Sequence, residues 1–196
     1  FSEHYARALV TKTQAPFLRQ LRNWWFSDIE KREQQQHVLF VYGTLKRNCH
    51  WHDKYLTGAH FLGVGRTAQP QSLVIGACGV PYLLPTSSSS STKDHDDAPR
   101  PKHVRGELYR ISTEMLQGMD DYEGIRKGHY TREEIDVEVS SVAGSSETKR
   151  IQKAFCYFYA VKPGVSTVDA SLLNAERIAE YTAEEQKKRY NPIHHI

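Results

Sequence analysis

Five apolar residues, Val38-Leu39-Phe40-Val41-Tyr42, run without a polar break into Gly43. A run so short and continuous reads as a strand buried on both faces, because a strand with one wet face would alternate. Such a strand needs neighbours on either side, so the rest of the chain must supply a sheet or barrel around it. Candidates are present. Val104 to Ile111 alternates polar and apolar residues like a half-buried strand. Tyr130 to Val139 and Ile151 to Val161 are rich in β-branched and aromatic residues, and Gly144-Ser145-Ser146 between them predicts a hairpin. Phe61 to Ile75 reads as strand broken at its glycines and Pro70, and Gly79 to Leu84 as a strand whose proline belongs at a start or an edge.

Helices fill the gaps. Trp51 to Leu56 predicts a short one. Ser112 is a good N-cap for the next, with Glu114 near its positive end, Met115, Leu116 and Met119 on one face, and Gly124 as its stop. Ser171 to Tyr190 predicts a closing helix. The fold class expected is α+β, a small β-barrel with helices against it.

At 196 residues the chain suits one domain of ordinary size. We place that domain at 37–196, with a serine-rich, solvated insertion at 86–101. Residues 1–36 form an extension, read as a helix from Phe17, Leu21, Trp24, Trp25 and Ile29, with Pro16 near its start. The first 26 residues carry Glu3 as their one acidic side chain, a bias also found in mitochondrial targeting segments; the adjacent Trp24 and Trp25 favour burial in a helix. A net charge of +3 is too balanced for a nucleic-acid footprint, and no apolar run nears the roughly 20 residues that span a bilayer. Cys49, Cys78 and Cys156 form neither a zinc spacing nor a disulfide framework, so a reducing, cytoplasmic setting is expected.

Two places ask for more than packing. The first is Tyr42-Gly43-Thr44-Leu45-Lys46, where a buried strand ends in consecutive backbone N–H groups and a glycine lets the main chain approach a ligand. Most strand-glycine turns merely reverse the chain. The second is Asp120-Asp121-Tyr122-Glu123-Gly124, three carboxylates at the negative end of a helix, where a desolvated carboxyl would hold its proton more tightly and suit a general base. Acidic residues there more often face water. Neither place decides a function alone.

In order, Val41-Tyr42-Gly43-Thr44-Leu45-Lys46-Arg47, Gly79-Val80-Pro81-Tyr82, Val104-Arg105-Gly106-Glu107-Leu108-Tyr109, Asp120 to Gly124 and Tyr130-Thr131-Arg132 resemble the γ-glutamylcyclotransferase superfamily, in its γ-glutamylamine cyclotransferase and AIG2-like branch. The resemblance covers about Val38 to Val161. It implies a six-stranded, barrel-like core and a cavity with one essential glutamate, mapping to Glu123. It implies no metal and no organic cofactor. The reaction implied is intramolecular: the α-amine of a γ-glutamyl group attacks its own γ-carbonyl, forming 5-oxoproline and releasing an amine. Gly43, Thr44 and Leu45 would hold the substrate's oxygens. Tyr42 and Tyr130 are candidates for hydroxyl hydrogen bonds in the cavity or for core packing, and Lys46 and Arg132 for pairing with the substrate's carboxylate or for solvated surface.

Substrate candidates are γ-glutamyl-ε-lysine or a similar γ-glutamylamine, then γ-glutamyl amino acids or glutathione. A non-catalytic binding or stress-response module on the same barrel is the reading from another class. The chain departs from its relatives at Asn48, where a glycine is common, and at Cys49-His50-Trp51-His52, whose spacing matches no strong metal motif.

Overall fold

The expected buried strand is β1 (Gln36–Val41), and its residues divide between two cores. Leu39 and Val41 join one cluster of buried side chains, Phe40 and Tyr42 the other. Both faces are therefore dry, as an unbroken apolar run requires. The computed structural model describes residues 36–85, 99–140, 150–160 and 170–190. The N-terminal helix, most of the serine-rich insertion and the turn at 144–146 lie outside the described residues.

Five strands close a barrel in the order β1, β5 (Arg105–Ser112), β2 (His60–Thr67), β6 (Tyr130–Val139), β7 (Arg150–Tyr159). β1 runs parallel to β7, with Leu39 opposite Phe155, whereas β2 is antiparallel to both β5 and β6. β6 and β7 are antiparallel from Tyr130 opposite Tyr159 to Val139 opposite Arg150. The mixed pairing agrees with the expected class, but the barrel has five strands among the described residues where the resemblance implies six. The physical reason is visible: β3 (Ser72–Ile75) and β4 (Pro81–Leu84) pair with each other as a separate two-stranded sheet. Pro81 opens β4, where a missing N–H costs least.

Helix α1 (His52–Tyr55) is a single turn. Helix α2 (Thr113–Tyr122) starts as the sequence predicts, with the Ser112 hydroxyl accepting from the Met115 N–H at 3.2 Å, and it buries Leu116 and Met119. It ends at Gly124, whose φ of 65° turns the chain out of the helix.

The tail corrects the expectation of one helix from Ser171 to Tyr190. Instead α3 (Ala170–Leu173) and α4 (Ala183–Arg189) flank an extended stretch. The Arg177 guanidinium donates to the carbonyls of Leu172, Leu173 and Ala175, which stops α3 by capping it. Beyond it the Ile178 N–H bonds the Leu73 carbonyl at 2.9 Å and the Ala179 carbonyl accepts from the Arg105 N–H at 2.7 Å. Those backbone bonds are edge pairing that a helix would forgo. Thr182 then caps α4 by accepting from the Glu185 N–H. Periodicity of the side chains does not report such backbone competition.

Candidate active site

Beyond β1 the chain turns through Tyr42, Gly43, Thr44 and Leu45, all buried. The carbonyls of Gly43, Thr44 and Leu45 are all taken. The Gly43 oxygen accepts from the Lys46 N–H at 3.0 Å, the Thr44 oxygen from the Trp51 N–H at 3.2 Å, and the Leu45 oxygen from His52 Nδ1 at 2.8 Å. Since a carbonyl only accepts, His52 carries a proton on that nitrogen. By contrast, among the described residues no acceptor meets the N–H groups of Gly43, Thr44 or Leu45. Buried donors without acceptors are uncommon in a folded chain, and they are the groups a ligand's oxygens would satisfy.

The turn lines a cavity together with Phe40, Val80, Pro81, Tyr122, Glu123, Tyr130 and Tyr157. Sequence separates Gly43 from Glu123 by 80 positions, and the barrel brings them to one hollow. Pro81 explains why residue 43 is glycine. A Cβ there would stand 2.7 Å from Pro81 Cγ, so the turn and the Val80-Pro81 loop can close on each other only without a side chain.

The three crowded carboxylates separate by environment. Asp120 accepts from the Tyr157 hydroxyl at 2.7 Å and pairs with Arg132, while exposed Asp121 lies 3.9 Å from Arg126. Glu123 caps the end of α2 and faces the cavity. No described residue donates to its carboxylate, and burial alone pushes its pKa from 4.5 up to about 8. Its titratable neighbours Tyr42, Tyr122 and Tyr130 are themselves pushed up, chiefly by burial, and stay neutral beside it. The site thus holds one proton acceptor of near-neutral affinity in aromatic walls.

The remaining sequence candidates distribute as follows. Tyr130 lines the cavity. Tyr42 also lines it, but its hydroxyl proton is given to the Tyr157 carbonyl at 2.8 Å, which leaves the oxygen only as an acceptor. Lys46 is not among the lining residues: its ammonium bonds Glu180 Oε1 at 2.9 Å and the Tyr181 carbonyl at 2.8 Å. Arg132 is paired with Asp120 and lies over the Phe155 ring at 4.8 Å. Sequence reasoning missed Tyr122 and Tyr157 as wall residues. Tyr122 had a signal in its position beside Glu123; Tyr157, near the end of β7, had none. Cys49, His50 and His52 border a separate polar groove with Arg47 and Glu107, and among the described residues no group of three or more His, Cys, Asp or Glu is placed to hold a metal ion.

The model of the family described as γ-glutamyl cyclotransferase, AIG2-like, matches residues 39–173. The chain belongs to that family. An Arabidopsis thaliana protein that carries a γ-glutamylcyclotransferase name is 39% identical over 103 residues, 50% of this chain and 49% of its own. Human γ-glutamylaminecyclotransferase is 37% identical over 91 residues, 44% of this chain and 52% of its own. The chain thus spans about half the length of these two relatives. The crystal structure of a mouse AIG2-like protein superposes with a TM-score of 0.62 at 28% identity, covering 81% of this chain and 97% of that one. The AIG2-like family match begins in β1 and contains every lining residue of the cavity. Gly43→Ala is expected to push Pro81 outward at a stability cost of about 1–3 kcal/mol, read from a urea midpoint.

Proposed function

We propose that the protein is a γ-glutamylamine cyclotransferase in which Glu123 is the general base and acid. The observation that carries the reading is a desolvated carboxylate, Glu123, in the same cavity as a turn whose N–H groups at Gly43, Thr44 and Leu45 meet no acceptor among the described residues. The attacking α-nitrogen reaches the site as an ammonium, so its proton must leave before nitrogen can bond the γ-carbon. Glu123 takes that proton. The N–H groups of Gly43, Thr44 and Leu45 offer hydrogen bonds to the carbonyl oxygen as it gains charge, or to the α-carboxylate. As the C–N bond to the leaving amine breaks, the amine takes that proton from Glu123; the ring nitrogen, which still carries two hydrogens after attack, gives its second proton through the freed carboxylate to the amine, which leaves as an ammonium beside 5-oxoproline. Atoms balance without water or a covalent enzyme intermediate. The aromatic walls exclude solvent and keep the glutamyl chain folded on itself, an orientation effect.

The test is incubation with γ-glutamyl-ε-lysine and assay of 5-oxoproline and free lysine. Equal release of both is expected; folded protein that releases neither sinks the reading, and free glutamate in place of 5-oxoproline would mean hydrolysis. A parallel panel of γ-glutamyl amino acids and glutathione separates the branch activity from its relatives. In the same assay kcat/KM should rise with pH through about 8, because the base must be ionised in the free enzyme and burial delays its ionisation to there. A rising limb near pH 4.5 instead would mean that the carboxylate is fully hydrated.

A further inference from the structure

The turn that lines the cavity is held from behind by a distant part of the chain. Lys46 follows Leu45 directly and is the one buried lysine among the described residues. A buried ammonium is costly unless paired and hydrogen-bonded, and both of its partners, Glu180 and the Tyr181 carbonyl, belong to the stretch before α4. The helix that follows, α4 with its C-cap Tyr190, grips the loop after the turn: the Gln186 side-chain oxygen accepts from the His50 N–H at 2.8 Å, and the Tyr190 hydroxyl accepts from the Trp51 indole at 2.7 Å. The stretch before α4 also reaches the opposite wall. The Tyr181 hydroxyl donates to the Gly79 carbonyl at 2.8 Å, one residue before Val80 and Pro81. Two walls of the cavity therefore share a support whose members do not line it.

We infer that Lys46 is a positioning residue, which through Glu180 and the Tyr181 carbonyl holds the Gly43–Leu45 turn in the geometry that the substrate's oxygens require. The inference rests on reading the cavity as a cyclotransferase site, and it replaces the direct contact with substrate that the motif suggests for this lysine. Lysine suits the role. Its stem is long enough to cross from the turn to the tail, and its three donors serve two acceptors at once. A methionine would fill the same space and leave both acceptors unpaired.

Two variants and one non-kinetic readout test this. Lys46→Met should raise KM for the γ-glutamylamine by about tenfold or more and speed hydrogen exchange at the amides of residues 46 and 51, which bond the Gly43 and Thr44 carbonyls of the turn. Glu180→Ala, at a half-exposed position, should move both in the same direction by a smaller amount, and the double variant should be no worse than Lys46→Met alone. If Lys46 contacted substrate directly, Glu180→Ala would free its ammonium, lower KM, and add independently to Lys46→Met; that pattern overturns the inference. So does unchanged exchange at the two amides in Glu180→Ala, which remains decisive should Lys46→Met fail to fold. Wild-type protein without cyclotransferase activity would refute the functional reading, and the exchange data would still decide whether Lys46 holds the turn.

Discussion

Glu123→Gln is expected to lower kcat for 5-oxoproline formation by about 100- to 10,000-fold, the range over which a positioned general base contributes. Binding of 5-oxoproline itself should persist, since the turn and the aromatic walls are untouched. Turnover within about tenfold of wild type would place the base elsewhere. The same substitution has a second, opposite consequence for the fold. Because burial raises the folded pKa of Glu123 to about 8 from an ordinary 4.5, the native state favours the protonated carboxyl. Its stabilising share is present in full below about pH 4.5 and is lost as pH climbs through about 8. A glutamine has no such titration. Glu123→Gln should therefore match wild type near pH 5 and exceed it by ~2–4 kcal/mol at pH 9, read from denaturant midpoints at the two pH values. A variant that is inactive yet more stable in alkali would bear the mark of a carboxylate kept for chemistry at a cost to the fold.

Gly79→Ala should be strongly damaging although residue 79 does not line the cavity. Residue 79 has a φ of 74°, and a Cβ there would fall 2.2 Å from the Arg189 carbonyl oxygen and 2.3 Å from its carbon. Both obstacles are backbone, so no rotamer change relieves them, and the residue would also sit in a conformation that side chains disfavour. A loss of about 3 kcal/mol or more in urea unfolding is expected, together with loosening of α4. A loss below about 1 kcal/mol would show that α4 does not pack on this loop.

Much of the barrel was legible because its signals are local. Val38 to Tyr42 carried its burial in plain composition, Ser112 and Gly124 marked both ends of α2 by their own hydrogen-bonding and backbone chemistry, and Pro81 marked a strand start. What escaped was set by partners far along the chain. Asp120, Asp121 and Glu123 look alike in sequence, and only Arg132 and Tyr157 on neighbouring strands distinguish the paired acid from the lone one. The tail read as one helix because its side chains permit it; Arg177 and the backbone of Ile178 broke it by binding carbonyls elsewhere. The count of barrel strands failed for a similar reason, since β3 and β4 found each other before the barrel. Sequence could nominate the turn and the glutamate separately, but their shared cavity is a property of closure.

The hold of Glu180, Tyr181, Gln186 and Tyr190 on Lys46, Gly79, His50 and Trp51 has a consequence in time. A ribosome delivers the turn, the loop and the glutamate long before it delivers residues 180–190. Until then the Lys46 ammonium has neither partner, and the walls it steadies are free to move. The barrel strands can pair during synthesis, but the shape of the pocket waits for residues 180–190 to emerge and dock, so a nascent chain stalled short of residue 180 would carry Glu123 beside a turn still without its support.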